Sequence, residues 1–293
     1  MIVFAGPGVA GAIRNQFNLV TNTLNSGTDG DDFLSEVEKD YLNTMQSVVA
    51  KDAKDWTLDD QETAALDIAK HGTSSVVYAK AKAAMDAGTK FTMKITNGQT
   101  LEYRIIGINH DDLADGSGKA GLTFMTTSTG IKSRFNAGET NAGGWEKSEL
   151  RAKMNSGEIW NLMPSDFQSK VKPVRKLTNN VGGGDENKNA AVTATADKLF
   201  LLSNSEIVET PNINREWSKY PWFGKEGTQY EAFQGKVAND DSDCPILAIG
   251  GVWWERSAVP DNDLCFLNVL LNGNPSLGAS VLISYCVCPA WCF

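Results

Sequence analysis

Up to residue 87 the apolar positions recur every three or four residues, and from residue 91 the period falls to two. Phe33, Val37, Tyr41, Met45 and Val48 mark one face of an amphipathic helix. A second helix begins near Leu58, with Thr57 as its N-cap. Its first turn holds Asp59, Asp60 and Glu62, where the positive end of the helix dipole favours them. Gly72 interrupts this helix, and an alanine-rich one from Val76 to Ala87 ends at Gly88. Phe91, Met93 and Ile95 then alternate with polar residues, as do Leu101, Tyr103 and Ile105. Asn97-Gly98 between them accepts the positive φ of a tight hairpin. Further on, the pattern predicts a helix over 145–155, "WEKSELRAKMN", and a strand over 198–202, "KLFLL". Long loops such as "NHDDLADGSGKAG" and "NNVGGGDENKN" separate them. The resulting expectation is an α+β chain in which a helical segment, 1–88, precedes a loop-rich unit, 89–293.

One stretch obeys neither period. "NVLLNGNPSLGASVLISY", residues 268–285, is rich in Leu, Val and Ile yet broken by turn formers. It follows "WWERS", residues 253–257. Adjacent tryptophans on a strand face opposite ways, so one of Trp253 and Trp254 is expected in the core and the other over a surface or a neighbouring loop. Glu255 and Arg256 read as a scaffold ion pair rather than catalytic groups.

The formal net charge is −9, unevenly spread: residues 1–88 hold 13 acidic and 7 basic side chains. Such a chain has little to neutralise phosphates with, which excludes nucleic acid as a partner. No apolar run approaches the roughly 20 residues of a membrane span, so no membrane insertion is expected. The start, "MIVFAGPGVAGAIRN", lacks a basic n-region, which points to the cytoplasm, or to release inside a virion.

The five cysteines (Cys244, Cys265, Cys286, Cys288 and Cys292) crowd the last fifty residues, and the two histidines are His71 and His110. Without CxxC pairs they read as buried or half-buried thiols, and no metal or cofactor is expected. "GPGVAG", Gly6 to Gly11, has dinucleotide-site spacing. The acidic residues that would hold a ribose, Asp29, Asp31 and Asp32, stand in a loop, so an N-terminal arm is the better reading. "HDD" at 110–112 reads as turn chemistry. "GGGD" at 182–185 lacks the following helix that a phosphate cradle needs. No Ser/His/Asp or Cys/His constellation can be built.

Residues 101–293 resemble a bacterial and phage domain family of unknown function. The matching stretches are "YRIIGINHDDLADGSGKAGLTF", "NAGGWEKSELRAKMNSGEIWNLMP", "ATADKLFLLSNSEI", "WWERSA" and "YCVCPAWCF". The last also looks like the end of the variable region in proteins diversified by diversity-generating retroelements, which resemble C-type lectins in fold and include phage tropism determinants. In that family, adenines of a template repeat are randomised. The outcomes are limited to codons ending in C, so Trp, Met, Gln, Lys and Glu do not arise at diversified sites. Those five types make up 57 of the 293 residues, yet none occurs among the 27 positions 259–285. Composition alone gives that absence a chance on the order of 0.3%.

The resemblance therefore implies a C-type-lectin-like domain that binds a ligand, a bacterial surface protein or glycan, and performs no chemistry. Its ligand residues would be Leu264, Cys265, Leu267, Leu270, Leu271, Asn272, Leu277, Gly278, Ala279, Leu282, Ile283 and Tyr285, forming one exposed apolar face. Trp253, Trp254, Arg256, Asn268, Val269, Gly273, Pro275 and Val287 would be scaffold. Cys286 departs from the family's usual Gly at that point. Segment 1–88 would attach or oligomerise the domain, for example on a tail fibre. The competing expectations are a formylglycine-generating-type enzyme, whose reactive cysteine pair Cys286 and Cys288 supply poorly, and a structural module of fixed sequence.

Overall fold

A computed structural model describes residues 36–181, 191–260, 262–275 and 277–293. The glycine-rich stretches at 6–11 and 182–185, the acidic residues 29–32 and Phe33 lie outside the described residues. The chain is an α+β protein. Three helices open the described part: α1 (Glu36–Ala50), α2 (Leu58–His71) and α3 (Tyr78–Asp86). Thr57 caps α2 as its sequence predicts: the hydroxyl accepts from Asp60 N while Asp60 accepts from Thr57 N. That reciprocal box satisfies two amides that have no partner inside the helix.

The first sheet is antiparallel in the order β1-β2-β3-β11, built from β1 (Lys90–Lys94), β2 (Thr100–Ile108), β3 (Leu122–Thr126) and β11 (Ala290–Cys292). β1 and β2 form the hairpin that Asn97-Gly98 predicts, and Gly98 sits at φ +89°. α2 presses on β3 so closely that a Cβ on Gly121 would stand 1.8 Å from Ala65 O. Gln61 on α2 also accepts from Tyr103 Oη at 3.1 Å, and Asn109 donates to Ile68 O. The change of period at residue 88 is thus no gap in packing, because Ala64, Ala65, Ile68 and Ala81 share one core with the sheets.

The second sheet has the order β4-β10-β7-β8-β9: β4 (Lys132–Ser133), β10 (Tyr285–Cys286), β7 (Trp253–Ala258), β8 (Cys265–Val269) and β9 (Leu277–Ser280). Between the sheets in sequence come α4 (Gly144–Lys147), α5 (Glu149–Asn155), α6 (Ser165–Lys170), the two-stranded ribbon β5 (Val174–Asn179) and β6 (Val192–Asp197), and α7 (Asn204–Ile207). The helix expected over 145–155 is split by Ser148, which caps α5. The strand expected over 198–202 is absent. Leu199 to Leu202 are fully buried, but only Phe200 makes a bridge, to Ala290. An apolar run signals burial, and here burial comes without a ladder. Among the described residues, no helix is long and apolar enough to cross a membrane.

Candidate ligand-binding surface

β8 lies between β7 and β9, and that position decides the fate of its side chains. Phe266, Leu267, Asn268 and Val269 are buried, with the Phe266 ring stacked on Phe135 at 3.6 Å between centroids. Leu267, expected on the binding face, has no exposed surface, and Ala279 opposite β8 on β9 is also buried. Neither lies on an exposed face, because strands and neighbouring loops cover both. The residues at turns have the opposite fate. Leu264, Leu282 and Ile283 are 38%, 38% and 41% exposed, and Leu271 is 61% exposed. These four are more than half of the seven exposed large apolar side chains among the described residues. Asn272 and Gly278 are exposed as well; Cys265, Leu270, Leu277 and Tyr285 are half-buried.

The exposed residues form two patches rather than one face. Val281 N donates to Leu264 O at 2.9 Å and Ile283 N to Ser280 O at 3.0 Å, which brings Leu264, Leu282 and Ile283 to one end of β8. Leu271 belongs to the β8–β9 turn at the other end, closed by Leu270 N to Asn274 O at 2.8 Å. Seven residues of mostly extended chain separate Leu264 from Leu271, roughly 20 Å.

Each patch rests on a fixed framework. A Cβ on Gly273 (φ +86°) would stand 1.9 Å from Cys244 O, so only glycine lets the turn sit on that loop. Cys244 N donates to Asn272 O, and Asn272 donates to Asp243. Buried Asn268 donates to Leu277 O at 2.8 Å and ties the hairpin together. At the other end Asn141, wholly buried, donates to Asn262 O and Cys265 O, both at 2.8 Å. Asn141 was not legible as framework, since it lies over 120 residues from the loop that it holds.

Both tryptophans are fully buried, so the one expected over a surface or a neighbouring loop is enclosed as well. Trp253 Nε1 donates to Leu247 O and Trp254 Nε1 to Ser133 O, each at 3.0 Å. β7 has strands on both edges and packing on both faces, so each indole is enclosed. Tyr285 packs its ring on Trp254 at 4.9 Å.

Arg256 is not paired with Glu255. It grips Glu206 on α7, while Lys176 on β5 bridges Glu206 at 2.5 Å and Asp111 at 2.6 Å. Burial would raise both acids, but facing cations outweigh it: Lys176 and His110 hold Asp111 well below the usual carboxylate range, and Arg256 and Lys176 hold Glu206 below it. Tyr230 donates to Asp111, and Thr123 does so at 2.7 Å. Two buried cations thus face two buried anions. Glu255 and Glu226 are pushed up, chiefly by burial; Glu255 is left with one donor, Asn204. Besides "HDD" at 110–112 and Arg256, a sequence signal for this network was Ser203-x-x-Glu206, a capping-box spacing in which Ser203 N donates to Glu206.

All five thiols are free, and burial pushes each of them up, Cys288 and Cys292 furthest. Among the described residues, no three His, Cys, Asp or Glu side chains gather as a metal site. Residues 120–293 match a family described as Domain of unknown function (DUF6273). No curated protein and no solved structure matches the chain.

Proposed function

We propose that this chain, which belongs to that domain family (DUF6273), is a recognition protein with a C-type-lectin-like unit whose residues 259–285 are rewritten by a diversity-generating retroelement. Its ligand is a protein or glycan on a bacterial surface, and its place is a phage tail or fibre, to which segment 1–88 attaches or oligomerises it. The observation that carries this reading is the division of labour within the stretch. Large apolar residues stand exposed at its turns while buried Asn268, Gly273 and Pro275 hold the strands. Exposed apolar groups gathered in this way mark interaction sites. The restricted residue alphabet of 259–285 supports the same reading from an independent side. The alternative of a formylglycine-generating-type enzyme needs a thiolate, which burial disfavours at Cys286 and Cys288.

The test is in the surrounding DNA. A reverse transcriptase gene beside an imperfect repeat of codons 259–285, differing only where the template carries adenine, is the expected finding. An invariant stretch across closely related genomes would leave a structural module of fixed sequence instead.

A further inference from the structure

A pocket of about 460 Å³ includes none of the residues discussed so far as ligand contacts; His110, Glu209, Thr228, Gln229, Glu231 and Gln234 line it. We propose that it binds the primary ammonium group of a small organic cation. The volume lies within the usual range for small-molecule sites. The pocket owes nothing to 259–285, so this proposal stands whether or not that stretch is diversified.

Hydrogen-bond capacity carries the argument. Gln229 Nε2 donates inward to Ile207 O at 2.9 Å and Phe233 O at 3.4 Å, which spends both its hydrogens and leaves its carbonyl oxygen. Gln234 spends one amide hydrogen on Gln229 O. His110, its side chain nine-tenths buried, places Nδ1 3.2 Å from Glu231 Oε1. A carboxylate only accepts, so Nδ1 carries a proton, and above the pKa of the ring Nε2 keeps its lone pair. Glu231 Oε2 is buried without a partner. The walls are therefore rich in acceptors and poor in donors, Thr228 and the second Gln234 amide hydrogen apart. An ammonium group is the complement: three donors, no acceptor and a positive charge.

The acceptors are also held in place. The His110 ring stacks on Tyr230 at 4.0 Å, and Tyr230 N donates to Glu206 O while Ala232 N donates to Ile106 O. A Cβ on Gly107 would stand 2.7 Å from the Tyr230 ring, so the glycine admits this stack against β2. Acid reverses the chemistry. Burial lowers the affinity of His110 for its proton, but the Glu231 bond and the Asp111, Glu231 and Glu206 charges outweigh it and raise the pKa. Tyr230 faces the ring, Glu209 lies across the pocket, and Lys119 binds the His110 carbonyl. Once protonated, the ring turns its acceptor into a donor and repels a cation.

Calorimetric titration of the full chain with 1,5-diaminopentane, beside its neutral isostere pentane-1,5-diol, tests this. Binding of the diamine alone is expected at about pH 8, weakened at about pH 5.5, where imidazole is charged. Glu231→Gln keeps an acceptor for His110 and should weaken the diamine about tenfold, the worth of one charge-assisted bond. Glu209→Gln, at an exposed position, is expected to weaken binding without altering the melting temperature, and it serves if Glu231→Gln misfolds. No diamine binding, equal binding of the diol, or unchanged affinity in Glu209→Gln overturns the proposal. Tighter binding of Nα-acetyllysine amide than of the diamine would assign the site to a protein's lysine and overturn the free-amine form.

Discussion

Arg256 holds Glu206 through two guanidinium nitrogens, and neither side chain reaches water. Removing Arg256 leaves the buried anions Glu206 and Asp111 facing one buried cation, Lys176, in a medium that cannot solvate the excess charge. Arg256→Met should therefore cost about 3–5 kcal/mol in chemical denaturation near neutral pH. Arg256→Lys should recover only part of it, because an ammonium lacks the planar fork. A loss below about 1 kcal/mol would show the pair to be dispensable.

The same network sets the response to pH. Asp111 and Glu206 have folded values below their unfolded ones. The stability they contribute is present above about pH 4 and is lost as pH falls through the folded values. Glu255 has the opposite sign, since burial raises its folded value well above the ordinary one. What it contributes is present below about pH 4 and is lost as pH rises through the folded value. Melting temperatures of Glu255→Gln and the parent should match near pH 4, and the variant should gain increasingly as pH rises. A constant difference across the range would contradict this.

The exposed patch at the Leu264 end should tolerate what the strand beneath it does not. Leu264→Ser, Leu282→Ser and Ile283→Ser together should change stability by under about 0.5 kcal/mol each. Leu267→Ala, three residues from Leu264 but wholly enclosed, should cost about 2–5 kcal/mol. Thermal melting separates the two, and collapse of the triple variant would refute the surface assignment. If the patch anchors the ligand, the triple variant should also lose adsorption to whatever cells the parent binds.

Gly273→Ala should destabilise by more than about 1 kcal/mol, because positive φ and the Cys244 carbonyl both oppose a side chain there. Gly98→Ala has the positive φ without the clash and should cost less. Equal effects would mean that the turn can move off the 244 loop.

Local signals were legible. Thr57 and the Asn97-Gly98 turn act within four residues, and the chain alone determines both. The run at 198–202 misled because four apolar residues report burial, not hydrogen bonding. The tryptophan pair misled because one enclosed face was expected of β7 and it has two. Within 264–283, the residue types alone cannot distinguish Leu264 from Leu267. What does so is where the turns fall, fixed by Asn141 and the Cys244 loop from far away in sequence. The ionic network escaped for the same reason: Asp111 and Lys176 are 65 residues apart and Glu206 and Arg256 are 50 apart.

β10 enters the second sheet between β4 and β7, and β11, four residues later, joins β3 in the first. Among the described residues both follow every other strand in the chain, and β4 pairs with β10 alone. Until residues 285–292 emerge, Trp254 lacks its Tyr285 cover and Trp291 is missing from the cluster around Tyr103, Phe124 and Phe167. Synthesis at about 5–20 residues per second leaves open edges waiting for roughly 8–30 seconds after β4 appears. Nascent chains of this protein thus pass through a stage with unpaired strand edges, and a premature stop within 259–285 is expected to yield an aggregating chain rather than a shortened domain.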